Sequence, residues 1–265
     1  MDTTKLKSRL SDKVKETQSV ASVSPVVSNA TKNMQKLTIT SDNSGYVALT
    51  SNALDIIREN MKNQPLALDL FDIVKSPAGG ATVFSVPGLS GDDAEKELTG
   101  IVLDYMTPRA YWDTPDPVEG TPPVCLSRDS IVSHDGKVCA HCPYNDFGSR
   151  DGESNAKACK ESVLIFLLRP NNILPLLIRI PVTSKGRFLK YTVRLVGNMT
   201  PLTSVVTKIT LQKATSKAGE PYALFNFEAV RILAAEEAVH AKNYARQFMQ
   251  IVNAAETVSE PSNAK

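Results

Sequence analysis

The sequence predicts a mainly β fold with α-helices, of the α+β class. The prediction depends on three observations: five apolar strand patterns after residue 98, an amphipathic helix between the third and fourth strands, and a cysteine-bearing loop after the first. The resulting order, β-β-β-α-β-β, is that of an OB-fold, a five-stranded and partly open barrel. We therefore expect an OB-fold-like domain over residues 98–233, with the cysteine-bearing insertion at about 113–160.

The elements before the barrel are shorter and less regular. Residues 1–36 are rich in Ser, Thr, Lys and Val without periodicity, which predicts a disordered, mildly basic arm. Residues 37–97 are predicted to form a small α+β unit. Its predicted elements are strands at KLTIT and GYVALT, a helix over SNALDIIRENMKN, and a hairpin of LALDLFDIV and ATVFSV around the turn at residues 77–80.

The barrel elements follow from apolar periodicity. LTGIVLDYMTPRAYW (98–112) predicts a first strand interrupted near Pro108, and ESVLIFLLR and ILPLLIRIPV predict the next two. TSKGRFLKYTVRLVG predicts the helix, and SVVTKITLQKA and PYALFNFEAVRIL predict the last two strands, joined by TSKAGE. Residues 234–255 predict a terminal amphipathic helix, and 256–265 a disordered tail. The helix is expected to bury Phe188, Leu189, Val193 and Val196.

All four cysteines lie in the insertion, at the spacing Cys125-x13-Cys139-x2-Cys142-x16-Cys159. The charged N-terminus lacks the apolar region of a secretory signal, and the apolar run after residue 162 is interrupted by charged and polar residues. A cytoplasmic location follows, where structural disulfides are rare. A Cys-x2-Cys pair with two further cysteines is typical of a closed structural zinc site. We expect one zinc ion with four thiolate ligands.

Other interpretations of the cysteines stay open. His134 or His141 could replace one of them as a ligand. The four thiols could also be unrelated buried side chains, or the Cys-x2-Cys pair could be a redox motif, although no thioredoxin-like βαβ pattern surrounds it.

Charge is distributed unevenly along the chain, although the formal net charge is only +2. From Ser162 to Ala218 there is no Asp or Glu but there are nine Lys or Arg, whereas the preceding segment is acidic. The stretch could lack acids simply because much of it forms buried strands. That would explain its apolar runs but not its nine cations. A basic stretch without carboxylates favours a nucleic-acid partner.

Five segments together resemble a group of phage and prophage proteins associated with single-stranded DNA binding: PPVCLSRDS, CAHCPYNDFGS, AKACKE, LLRPNNILPLLIRIPVTS and VVTKITLQKA. The resemblance covers about residues 40–250, and its most specific part carries over as Cys125, Cys139, Cys142 and Cys159. It implies a zinc-containing OB-fold protein, encoded by a phage or prophage and acting in the bacterial host cytoplasm. The acidic C-terminal tail of bacterial single-strand binders is missing here, so partner docking through the tail is in doubt.

Single-strand binding requires a cationic groove for phosphates and aromatic faces for bases. Alternation on the fourth strand points Lys208 outward, and Arg179 alternates out of the third. The candidate DNA-contacting residues are Tyr105, Arg109, Tyr111, Trp112, Arg179, Lys185, Arg187, Lys190, Lys208, Lys213, Lys217, Phe225 and Phe227. Any of the aromatic residues could instead belong to the core.

The sequence indicates no catalytic residues, because its three histidines have no nucleophile or paired carboxylate at a motif spacing and no phosphate-binding loop occurs. We expect a non-enzymatic protein that coats and protects single strands during phage DNA replication or recombination. Possible partners are phage replication or recombination proteins and further copies of the chain, but no membrane. The alternatives are a zinc-dependent regulator that binds duplex DNA, and a scaffold that recruits a protein through its C-terminal helix.

Overall fold

The computed structural model describes residues 38–40, 45–50, 53–62, 64–114, 121–151 and 155–259. The predicted arm at 1–36 lies outside the described residues, as does the predicted tail from residue 260 onward. The start of that tail was predicted wrongly at residue 256, because the terminal helix continues through Ser259. The described chain has a mixed α+β fold, mostly of strands, with a curled sheet that forms a half-barrel. Among the described residues, no helix has the length and apolar character needed to span a bilayer.

Eleven strands and four α-helices are described. The strands are β1 (Thr38–Thr40), β2 (Ile73–Val74), β3 (Phe84–Val86), β4 (Asp93–Glu95), β5 (Glu97–Met106), β6 (Arg109–Tyr111), β7 (Cys125–Ser127), β8 (Lys160–Leu168), β9 (Leu176–Pro181), β10 (Val205–Thr215) and β11 (Pro221–Leu233). The helices are α1 (Val47–Thr50), α2 (Ala53–Met61), α3 (Val182–Gly197) and α4 (Ala235–Ser259). The first predicted strand is therefore divided at Pro108 into β5 and β6, as its sequence indicated.

The curled sheet is built around β5, which pairs antiparallel with β8 on one side and β10 on the other. β9 extends the sheet beyond β8, and β11 extends it beyond β10, both antiparallel. β1 adds to β11 and β2 adds to β9, both parallel. No pairing joins β9 to β11 within the described ranges, so the sheet curls without closing there.

Helices pack on both faces of the curled sheet, and each face has its own apolar cluster. On the inner face, α3 places Phe188, Tyr191 and Leu195 in a cluster with Phe225 of β11 and Ile165 of β8. The outer face packs against the N-terminal helices and α4. That second cluster includes Ile57, Leu164, Phe166, Leu177, Tyr244 and Phe248. The predicted N-terminal unit therefore shares a core with the strands of the half-barrel.

Helix α3 turns a different face inward from the one its sequence predicted. Phe188 is buried as expected, but Val193 and Val196 are 68% and 72% exposed, and Leu189 is also exposed. The inner positions belong instead to Ser184, Tyr191 and Leu195. The helix carries apolar residues on two faces, so its periodicity alone does not decide which face meets the sheet.

Two predictions for the N-terminal unit are wrong. The segment GYVALT contains the helical turn α1 rather than a strand. The proposed hairpin does not form, because β2 pairs with β9 and β3 pairs with β4. Gly80 lies in the turn between β2 and β3 with a φ of +72°, and an added Cβ would stand 3.2 Å from Pro221. The turn therefore packs closely against the start of β11 instead of closing a hairpin.

Candidate metal centre and nucleic-acid interface

The four cysteines of the insertion line one small cavity. The cavity lies in the cysteine module, which we define as residues 121–151 and 155–159, between β6 and β8. Cys139 and Cys159 are buried, Cys125 and Cys142 are half-buried, and all four are free thiols. The predicted convergence of the cysteines is therefore present in the structure.

Backbone hydrogen bonds place the cysteines around the cavity. Cys125 lies in β7, which pairs with β6, and Cys139 donates its N–H to the carbonyl of Ile131 at 2.8 Å. Cys139 and Cys142 are joined by a 3₁₀ turn, and the N–H of Cys159 donates to the carbonyl of Tyr144 at 2.8 Å. The module has few buried apolar side chains of its own, so these bonds define its local geometry.

Asn145 and Arg109 connect the cavity to the rest of the fold. The Asn145 amide donates to the Cys139 carbonyl at 3.0 Å, and its oxygen accepts from Arg109 and from Lys157. Arg109 also donates to Glu161 of β8 at 2.9 Å, and Glu161 accepts a second charged bond from Lys185 of α3. Arg109 and Lys185, both predicted to contact DNA, are thus engaged in a part-buried ionic network.

One buried donor of a cavity-lining residue has no partner among the described residues. Arg109 lines the cavity, and its Nε is buried with no hydrogen-bond acceptor among the described residues. A buried N–H without an acceptor is costly, and sulfur in thiolate form would accept from it. The cavity therefore offers both soft ligands and positive charge, a donor set that fits a thiolate-bound cation.

The thiols influence one another electrostatically. Burial raises the pKa of the Cys159 thiol, Arg109 opposes that shift, and the three other cysteines add to it. Burial also raises the pKa of Cys125, against a lowering hydrogen bond from Ser133.

A second ligand set overlaps the first. Among the described residues, the one trio of candidate ligand atoms within 4.8 Å of each other belongs to Cys125, His134 and Asp135. The four sulfurs do not all meet that spacing, whereas sulfurs on one tetrahedral zinc stand about 3.8 Å apart. His141 is exposed and belongs to neither set.

The nine cations of the acid-free stretch fall into two groups. Four of them make contacts with other side chains: Arg169 with Glu95, Lys185 with Glu161, Lys208 with Glu228, and Arg187 with Gln212 and Asn226. The other five are exposed and form no ion pair with another described residue. They are Arg179, Lys190, Arg194, Lys213 and Lys217. Acids from flanking segments therefore offset part of the predicted basic surface.

An open groove brings three separate elements of the chain together. It lies between the turn at 76–79, the start of α3 and the β10–β11 hairpin, and Lys217, Thr183 and Tyr222 line it. Glu220 lines it as well. Arg179 is two residues before Pro181, which also contributes to the lining. The third strand and the last hairpin therefore meet at one edge of the half-barrel.

The predicted stacking aromatics divide between core and surface. Phe225 is fully buried and packs against Phe84, so its ring is not available to a base. Tyr105 and Phe227 contact Phe188 at centroid distances of 4.9 and 5.3 Å, which places them at the edge of the inner cluster. Phe225 is therefore corrected from a candidate stacker to a core residue, whereas Tyr105 and Phe227 are half-buried and stay candidates.

Tyr111 and Trp112 lie at the cysteine module instead. The Tyr111 ring stacks on Tyr144 with centroids 4.0 Å apart and lines the cavity. Trp112 is half-buried, and its indole N–H donates to the carbonyl of Thr121 at 3.0 Å. Both remain candidates for contact with a base.

Sequence reasoning missed the residues that support the cysteines. Ser133 is buried and bonds to the Lys137 carbonyl, and Asn145 contacts Cys139, Arg109 and Lys157. Asn145 could have been found from its position three residues after Cys142, because an Asn side chain in a turn can hydrogen-bond to the backbone of the preceding Cys-x2-Cys segment. Lys137, which also lines the cavity, carried no such signal.

No protein-family model, curated protein or solved structure matches this chain. The resemblance to phage single-strand binders therefore stays a prediction.

Proposed function

We propose that this chain is a non-enzymatic single-stranded DNA-binding protein, built on an OB-fold and stabilised by one structural zinc ion. The observation that carries the proposal is the strand pairing around β5 together with the position of the two loops that flank it. Charge and the cysteine cavity add independent support.

The strand pairing supports an OB-fold. Numbered from β5, the five strands β5, β8, β9, β10 and β11 pair in the order three-two-one-four-five, with α3 between the third and fourth. OB-folds bind oligonucleotides through the face of strands two and three and through the loops after strands one and four. In this chain those loops are the cysteine module and residues 216–220.

The outer face of strands two and three is occupied in part. Leu164 and Phe166 of β8 and Leu177 of β9 are buried in the cluster that contains Phe248 of α4. A nucleic acid would therefore use mainly the two loops and the edge where Arg179 and Lys217 lie. This limits the proposed contact to surfaces that have exposed cations.

A coordinated cation would supply the counter charge that four buried or half-buried thiolates require. Cys125, Cys139, Cys142 and Cys159 would hold it, with Arg109 donating to a sulfur. Zinc in such a site has a structural role, because metal binding provides folding free energy to a segment with little core.

The two alternatives receive less support. A duplex-DNA regulator would need a polar recognition helix, but the exposed side of α3 carries Val182, Val193 and Val196 beside its cations. A scaffold acting through α4 would need a free apolar face, and that face already packs in the outer cluster through Tyr244 and Phe248.

The test is a paired charge reversal at the second loop. Lys213→Glu with Lys217→Glu should lower the affinity for fluorescent oligothymidine by an order of magnitude or more, because exposed phosphate-binding cations are lost. Lys242→Glu, an exposed lysine on α4, is the matched control and should change the affinity little. Equal effects of the two changes would refute the proposed surface.

A further inference from the structure

The cysteine module carries large aromatic side chains that are exposed to solvent. Phe147 is 78% exposed and is not part of the cavity lining, so it neither fills a core nor shields the cysteines. Tyr144 is 43% exposed while its ring stacks on Tyr111. Exposed large aromatics cost solvation, and such rings mark contact surfaces more often than isolated aliphatic residues do.

A lysine lies over one face of the Phe147 ring. The Lys157 ammonium lies 4.4 Å from the centroid of the Phe147 ring and donates to the Asn145 oxygen at 3.0 Å. Asn145 also donates to the Cys139 carbonyl, so it links the Lys157 ammonium to the backbone of the Cys-x2-Cys segment. A fixed cation over one face of a ring that is otherwise largely exposed places positive charge next to aromatic surface, which suits a base and its phosphate.

The position of the rings in the fold favours nucleic acid over a protein partner. The module follows the first strand of the half-barrel, in the loop that flanks the proposed binding face. The strand face is covered in part by α4, so base contacts would come mainly from the loops. Neither the Lys157 ammonium nor the open rings offers the closed apolar pocket that anchors a protein hot spot.

We infer that Phe147 and the Tyr111–Tyr144 pair form a stacking platform for unpaired bases, with Lys157 contacting the adjoining phosphate. This inference rests on the proposed function and specifies where bases are held.

The experiment is a double-mutant cycle that combines changes of the Phe147 ring with removal of the bases from the oligonucleotide. Fluorescence anisotropy measures the affinity of wild type, Phe147→Leu and Phe147→Trp for oligothymidine and for an abasic oligonucleotide of equal length. Val193→Ala, a change at an exposed apolar residue on α3, is the control. Metal content and thermal unfolding of each variant verify that the module stays folded.

Wild type should prefer oligothymidine over the abasic strand, and Phe147→Leu should lose about fivefold or more of its oligothymidine affinity while binding the abasic strand normally. Phe147→Trp should keep or increase the preference, since indole stacks at least as well. If wild type binds oligothymidine but Phe147→Leu binds it equally well, the stacking platform is refuted while the proposed function stands. The exposed ring would then be assigned to a contact with a protein. A wild-type chain that binds neither strand would overturn the proposed function as well.

Discussion

The Arg109 guanidinium donates to the Glu161 carboxylate at 2.9 Å, and their side chains are only 13% and 14% exposed. The pair joins β6, which precedes the cysteine module, to β8 of the half-barrel. Glu161 also accepts from Lys185 of α3, so one carboxylate compensates two cations. The strand that leads into the module is therefore attached to the half-barrel by charge as well as by backbone pairing.

Neutralising Glu161 should be costly. Glu161→Gln leaves Arg109 and Lys185 without a compensating charge in a part-buried site, and we expect a loss of about 3 kcal/mol in the free energy of unfolding. Urea titration measures it. Glu228→Gln, which breaks the more exposed Lys208–Glu228 pair, is the control and should cost less than about 1 kcal/mol. Similar costs for the two changes would contradict a structural role for the Arg109–Glu161 pair.

Metal content separates the two overlapping ligand sets. Protein purified without added metal should contain one zinc per chain, and Cys142→Ser should lose it while His134→Ala retains it. Elemental analysis with thiol titration measures both. Loss on His134→Ala with retention on Cys142→Ser would instead assign the ion to Cys125, His134 and Asp135. No metal at all, with four freely titratable thiols, would contradict a metal site.

Substitution by alanine should change the free energy of unfolding in opposite directions at two glycines. At Gly100 in β5, a Cβ would stand 2.4 Å from the Leu168 carbonyl oxygen, so Gly100→Ala should lower the free energy of unfolding by about 1–3 kcal/mol. At Gly186 in α3 a Cβ would meet nothing within 4 Å, and Gly186→Ala should stabilise by about 0.5–1 kcal/mol. Thermal or urea unfolding distinguishes them, and a stable Gly100→Ala variant would contradict the close pairing of β5 with β8.

Stability should fall in alkali because three tyrosines are buried. Burial raises the pKa of Tyr46, Tyr191 and Tyr244 to about 12, whereas an unfolded tyrosine titrates near 10. Between those values the unfolded chain releases protons that the folded chain retains, so the free energy of unfolding decreases as pH rises and is unaffected by these groups below pH 10.

Tyr46→Phe tests this pH dependence most simply. Its buried hydroxyl has no hydrogen-bond partner among the described residues, so Tyr46→Phe should be neutral or stabilising at pH 7 and should lose stability less steeply above pH 10. Tyr191→Phe removes a hydroxyl 2.7 Å from that of Thr207 and should cost stability at pH 7. Urea unfolding across pH 7–11 measures both variants, and an alkaline slope unchanged in Tyr46→Phe would contradict the assignment.

Much of the fold could be predicted because its strands and helices have clear periodicity. The predicted fifth strand, at 221–233, coincides with β11, and Val205, Thr207 and Ile209 point inward as alternation requires. The convergence of the cysteines could be predicted because their spacing leaves few other uses for them. The short N-terminal strands could not, since β2 and β3 find their partners far along the sequence.

The candidate surface was harder to predict because it depends on neighbours in space. Lys208 alternates outward as expected but faces Glu228 across the ladder. Counting back from the hairpin, where Thr215 pairs with Pro221, gives that register, so the signal was present in the sequence. For Arg109 no such count exists, because its contact with Asn145 depends on the fold of the cysteine module.

The most direct test of the central claim is the affinity of the full chain for oligothymidine and for duplex DNA of equal length, measured by fluorescence anisotropy over a range of salt concentrations. The account predicts preference for the single strand and a logarithmic salt slope of about −0.7 per phosphate contacted. Preference for the duplex, or a single-strand affinity that does not change with salt, would contradict it.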